Sequence, residues 1–137
     1  MHATGATEVR KNWSKICDDV VRVRPSLIKR THDYLFLASR NDMLKTLSIL
    51  KFRITVSKEE DGSYTIISED LDLAENAPTE ESAKKAMAES ILEYAEEYYD
   101  EYELYSRAPN RAQHLPYVIK ALLLAYADEV EEEMVHA

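Results

Sequence analysis

Apolar residues in the first part of the chain return at helical spacing. Val9, Trp13, Ile16 and Val20 stand at i, i+4, i+7 and i+11, which is one face of a helix. Cys17 and Val21 widen that face, while Arg10, Lys11, Ser14, Lys15, Asp18 and Arg22 lie off it. The spacing predicts one amphipathic helix over residues 6–23, stopped by Pro25. Gly5 and Glu8 have the spacing of a weak cap at its start. Residues 26–31 and 34–38 then read as two short strands, with a tight turn at His32 and Asp33. Residues 41–50 read as a short helix whose apolar side is Met43, Leu44, Leu47 and Leu50.

Beyond residue 51 the pattern starts afresh. Phe52, Ile54 and Val56 alternate with polar residues, Asp61-Gly62 supplies a hairpin turn, and residues 64–68 return as a second strand. Residues 69–78 read as a loop. Thr79 then caps a long helix with Glu80 and Glu81 in its first turn, where the positive end of the dipole favours them. Its stripe runs Ala83, Met87, Ile91, Tyr94, Tyr98, Tyr102 and Tyr105 until Pro109 breaks it. Pro116 opens a last helix with Val118, Ile119, Leu122, Leu123, Tyr126 and Val130 on its apolar side. The predicted order is αββα, then ββα, then a final helix, an α+β fold with its seam near residue 51.

Charge divides at that same seam. Residues 1–53 hold 11 Lys/Arg against 5 Asp/Glu, and residues 54–137 hold 6 against 21, within a net charge of −9. A basic first part suits phosphates, and an acidic second part suits a basic protein. Composition excludes other classes. Two glycines leave no Gly-rich phosphate loop, and a single Cys17 leaves no intrachain disulfide and no Cys-based zinc site. No apolar run approaches the roughly 20 residues of a membrane span, and residues 1–8 lack the apolar stretch of a signal peptide. The expectation is a soluble cytoplasmic protein. At 137 residues a modest core is expected, of the kind often completed by dimerisation.

Little in the sequence points to catalysis. His2, His32, His114 and His136 do not stand at metal-ligand spacing with one another, with Cys17 or with an acid on one helix. Neither a metal nor another cofactor is expected. Cys17, on the apolar face of the first helix, reads as an inert core residue. Glu93, Glu96, Glu97, Asp100, Glu101 and Glu103 crowd the long helix, where like charges repel, so this face needs solvent or a cationic partner. Core packing accounts best for Tyr94 and Tyr98, whereas Tyr99 points off the stripe and is a candidate to face a partner. Arg10, Lys11, Asn12 and Lys15 near the start of the first helix, with Lys29 and Arg30 on the hairpin, suit contacts to phosphates or base edges. Scattered solubilising charge is the competing account of that basic set.

The motif Ala6-Thr-Glu-Val-Arg-Lys-Asn-Trp-Ser, with the helix after it, Pro25 and Leu27-Ile-Lys-Arg, resembles the Phd/YefM antitoxins. Glu8, Arg10, Asn12, Ser14, Ile28 and Arg30 match that pattern over residues 1–50. Gly5 replaces the family serine at the helix start, Lys29 replaces a threonine, and His32 stands at the hairpin glycine. Lys51 to Ser57, Asp61-Gly62-Ser-Tyr, Leu71-Asp-Leu and Ala77-Pro-Thr-Glu-Glu-Ser-Ala-Lys-Lys-Ala are similar to the HicB module over residues 51–100. The first resemblance implies a homodimeric head, residues 1–50, that binds operator DNA. Arg10 matches a family arginine implicated in that contact, and Lys11, Asn12, Lys15 and Arg30 join it by charge and position. The second implies a toxin-binding body without nuclease activity, residues 51–137 with its C-terminal helix. Tyr99, Glu97, Asp100, Glu101, Glu131 and Glu132 are the candidate contacts to a basic toxin. The expected function is thus an antitoxin that neutralises a partner toxin and represses its own operon, not an enzyme. The alternatives are an acidic protein–protein adaptor without DNA binding and, more remotely, an acid-rich metal-dependent hydrolase.

Overall fold

The first amphipathic run folds as helix, but in two pieces. In the computed structural model, which describes residues 1–137, α1 (Ala6–Lys11) and α2 (Trp13–Arg22) meet at Asn12, whose φ of −117° and ψ of 32° leave the helical region. The Asn12 side-chain amide donates to the Glu8 carboxylate at 2.8 Å and to the Glu8 carbonyl at 3.1 Å, which fixes the bend. Gly5 takes part in no side-chain cap hydrogen bond, so the Gly5–Glu8 cap is not formed and Glu8 serves Asn12 instead. Trp13 opens a new helix rather than continuing the old stripe, and its side chain is 53% exposed, against the expected core position. Cys17 is half-buried, not a core residue.

Three strands accompany these helices. β1 (Ala3–Gly5), which the pattern did not predict, pairs in parallel with β2 (Ser26–Arg30), and β2 pairs antiparallel with β3 (Asp33–Leu37). Arg30 lies opposite Asp33, so the turn consists of Thr31 and His32, one residue earlier than expected. Thr31 takes the positive φ, 55°, that such a turn needs at its first position. α3 (Arg40–Thr46) follows, and its continuation at Leu47–Ile49 tightens to a 3₁₀ turn. These elements form the first of two units, Met1–Thr46, in which Val9, Val20 and Ile28 are the buried apolar residues.

The second unit, Leu47–Ala137, is built on a four-stranded sheet. β4 (Phe52–Lys58) and β5 (Tyr64–Ser68) form the expected hairpin, with Gly62 at φ 87° in the turn. The segment read as a loop contains β6 (Leu73–Ala77), antiparallel to β5. Alternation holds on the sheet: Phe52, Ile54, Ile66 and Ser68 are buried while Thr55 and Ile67 face outward.

α4 (Glu80–Asp100) covers the buried face. It starts where expected: Ser82 N–H donates to the Thr79 hydroxyl at 3.1 Å, and the reciprocal bond completes a capping box. Ala83, Met87, Ile91, Tyr94 and Tyr98 are buried along its stripe. The helix then breaks at Glu101, so Tyr102 and Tyr105 belong to α5 (Tyr102–Arg107). The final helix is likewise two, α6 (Leu115–Leu124) and α7 (Ala127–Glu132), separated by Ala125 at φ 72°. Tyr126, expected on the apolar side, is 68% exposed beyond that break. Both helices pack on α4, and β7 (Met134–His136) then pairs in parallel with β4. The chain is therefore a mixed α+β protein with two sheets and seven helices, more elaborate than the expected αββα, ββα and single helix.

Candidate functional site

The basic candidates lie on the first unit, which carries nine Lys/Arg against five Asp/Glu. Arg10 and Lys11 occupy the last turn of α1, not the amide-rich start of a long helix, and both are exposed. Arg30 ends β2 and is also exposed. No ion pair engages these three, so their charge is available. Lys15 and Asn12 are committed within the helices. The Lys15 ammonium meets the Asp19 carboxylate at 2.7 Å, and that hydrogen bond holds its pKa above the ordinary lysine value. Asn12 spends its amide on Glu8. On the hairpin, the Lys29 ammonium lies 5.6 Å from the centre of the Tyr34 ring.

The acidic candidates lie on the second unit. Between Lys85 and Arg107 the chain holds seven acidic residues and no lysine or arginine. Asp100 and Glu101 together line two shallow concavities at the junction of α4 and α5, and Glu97 lines one of them. Glu97 also accepts a hydrogen bond from the Tyr105 hydroxyl at 2.8 Å, which raises the Tyr105 pKa. Tyr99 is 63% exposed beside this group. Glu131 and Glu132 lie on α7, half-buried and exposed respectively, and line neither concavity. The structure thus gathers Glu97, Asp100 and Glu101 with one another and leaves Glu131 and Glu132 apart from them.

Behind α4 lies a buried polar cluster. The Tyr94 hydroxyl and His114 Nδ1 are 2.6 Å apart, the Tyr98 hydroxyl donates to the Arg111 carbonyl at 3.0 Å, and the Arg111 guanidinium lies 4.4 Å from the Tyr105 ring centre. Burial pushes the Tyr94 pKa up and the His114 pKa down; the carboxylate of Asp72, 3.8 Å from His114 Nε2, opposes the second shift. Under β4 and β7, buried Lys120 donates to the Leu50 carbonyl and pairs with Glu133 at 3.4 Å, and Lys51 binds the same carboxylate. Burial lowers the Lys120 pKa. For Glu133, burial acts upward, but the Lys51 hydrogen bond and the Lys120 charge outweigh it and the net shift is downward. These groups satisfy one another and tie α6, β4 and β7 together. No group of three or more His, Cys, Asp or Glu is placed to hold a metal ion.

The surfaces so described are two opposite charge fields on two units, each with exposed apolar side chains, which is the equipment of a binding protein. A family model for antitoxins of RelE/RelB toxin–antitoxin systems, PHD-like, matches residues 1–136. The chain belongs to that antitoxin family. The match spans both units. A crystal structure from Syntrophomonas wolfei subsp. wolfei, described as the antitoxin part of a proposed toxin/antitoxin system, superposes with a TM-score of 0.93. It shares 35% identity, covering 100% of this chain and 99% of that one. No curated protein gives a significant match. No helix of the antitoxin is long and apolar enough to cross a membrane.

Sequence reasoning passed over one exposed residue and two buried ones. Leu104 is 64% exposed at the α4–α5 junction, and it lies off the tyrosine stripe, so no periodicity marks it. His114 and Lys120 read as surface residues by type, yet the antitoxin buries both. Only the apolar run around Lys120 in residues 115–124 hinted at that.

Proposed function

We propose that the antitoxin is of type II: a cytoplasmic homodimer that neutralises a basic RelE-type toxin by direct contact and represses its own operon by binding operator DNA. In this reading the first unit is a Phd/YefM-type head and the second a HicB-like body. Arg10, Lys11 and Arg30 meet the phosphates and groove edges of the operator, with Asn12 and Lys15 shaping the helix that carries them. Tyr99, Glu97, Asp100 and Glu101 meet the toxin, and Glu131 and Glu132 extend the acidic field. No catalytic residue and no cofactor is required.

The observation that carries this reading is the division of charge between the units: nine Lys/Arg against five Asp/Glu in the first, eight against twenty-one in the second. A protein that only held another protein has no need of an excess of cations on one unit, whereas DNA binding rests on such an excess. Dimerisation is supported by the first unit's surface. It buries three apolar side chains and exposes Trp13, Val21, Val23, Tyr34, Leu35 and Phe36. Three of these lie on β3, an edge strand, which in a solitary monomer would invite aggregation. Two copies of the head would present two half-sites related by symmetry.

The test is fluorescence anisotropy of the full chain on DNA upstream of its own gene, over a salt series and with the neighbouring gene's product present or absent. Binding that random duplex competes for poorly, and that weakens steeply with salt, is expected. Arg10→Ala should weaken it about tenfold or less without lowering thermal stability. Binding no better than to random DNA, with and without that product, would sink the repressor and leave an acidic adaptor as the better account.

A further inference from the structure

We infer that Leu104 is the apolar anchor of the toxin-binding surface, and that it seats a cationic segment of the toxin carrying an apolar side chain among lysines or arginines. The inference rests on the reading of the chain as a toxin-holding antitoxin and names where on the second unit the contact is made. Leu104 is 64% exposed on a helix, and its place among carboxylates distinguishes it from the other exposed apolar residues. It is the apolar residue common to two shallow concavities of about 660 Å³ and about 700 Å³. Tyr102, 42% exposed, adds a second apolar wall to the first of these.

The charges around Leu104 decide what can cover it. Asp100 and Glu101 line both concavities. Arg107, the one cation lining either, is held by Glu103 at 3.2 Å. No ion pair of the second unit engages Asp100 or Glu101. An acidic or neutral apolar partner would bury Leu104 only by desolvating uncompensated carboxylates. A cationic segment buries the leucine and relieves the repulsion along α4 in the same contact. A second copy of this acidic unit is disfavoured on the same ground. In such contacts the central apolar group governs dissociation, and the charged rim governs association and salt dependence.

The full-length chain, titrated calorimetrically and by stopped flow with the product of the neighbouring gene, tests this. Leu104→Asp should weaken binding at least about tenfold and Leu104→Ser about fivefold, mainly through faster dissociation. Asp100→Lys should slow association and flatten its salt dependence. Ile67→Ser, on the outward face of the sheet, should leave affinity unchanged. Circular dichroism should superpose for all four variants, because these side chains are exposed. Parent-like affinity in both Leu104 variants would overturn the anchor and leave the toxin-holding reading intact, as would loss of affinity in Ile67→Ser alone. A parent chain that does not bind the product at all would overturn that reading and the anchor with it.

Discussion

Three residues other than glycine hold positive φ: Thr31, Asp72 and Ala125. Ala125 ends α6 in the left-handed region, its N–H bonding the Ala121 carbonyl, at the position where helices favour glycine. A Cβ in that region costs roughly 1 kcal/mol. Ala125→Gly should therefore raise the denaturant midpoint by an amount worth up to about 1 kcal/mol, with the slope unchanged; a fall would show that the turn needs the methyl group. His114 supplies a second residue-level prediction. Burial holds its pKa below the value it has when unfolded, so the unfolded chain takes up the proton first. The stabilisation is present above the unfolded pKa, roughly 6.5, and is lost as pH falls toward and through the folded value. Denaturation at about pH 7 and pH 5 should show the parent losing stability and His114→Gln losing less, since neutral glutamine has no charge to gain. Equal losses would mean that His114 does not drive the acid sensitivity.

At the scale of elements, legibility follows the number of residues that repeat a signal. α4 was readable because five stripe positions and a cap agree over twenty-one residues. Thr79→Ala removes one half of its capping box and should cost about 1 kcal/mol by thermal or urea denaturation; no loss would mean that the amides at the helix start are satisfied otherwise. The β4–β5 hairpin was readable through Asp61-Gly62 and the alternation that flanks it. β1, β6 and β7 were not. β6 reads Leu-Ala-Glu-Asn-Ala, with no β-branched residue, and its strand state comes from pairing with β5. β1 and β7 are three residues each and exist through parallel partners distant in sequence. The helix breaks at Asn12 and Glu101 carry neither proline nor glycine, so periodicity ran through both, placing Trp13 in the core and Tyr102 and Tyr105 on α4. The charge of the candidate residues was legible for the same reason, whereas their roles as contacts are proposals. Repeated carboxylates and clustered cations announce themselves, whereas a single exposed leucine does not.

At the scale of the whole molecule, the first unit exposes more large apolar side chains than it buries. Val9, Val20 and Ile28 are a thin core for forty-six residues, and small units of this kind reach stability by burying further area against a partner. If β3 supplies that area in the proposed homodimer, the contact is self-complementary, and each substitution acts twice. Phe36 is 55% exposed in the single chain, so Phe36→Asp should do little to the monomer and much to the pair. Sedimentation should show a dimer for the parent and a monomer for the variant. The parent's melting temperature should rise with protein concentration while the variant's should not, because only association couples stability to concentration. Operator affinity should fall further in Phe36→Asp than in Arg10→Ala, since loss of the dimer removes the linkage between two half-sites rather than one phosphate contact. A Phe36→Asp chain that still sediments as a dimer would place β3 outside the contact. A parent that sediments as a monomer at all concentrations would remove the symmetric pair from the mechanism and leave each head to bind DNA alone.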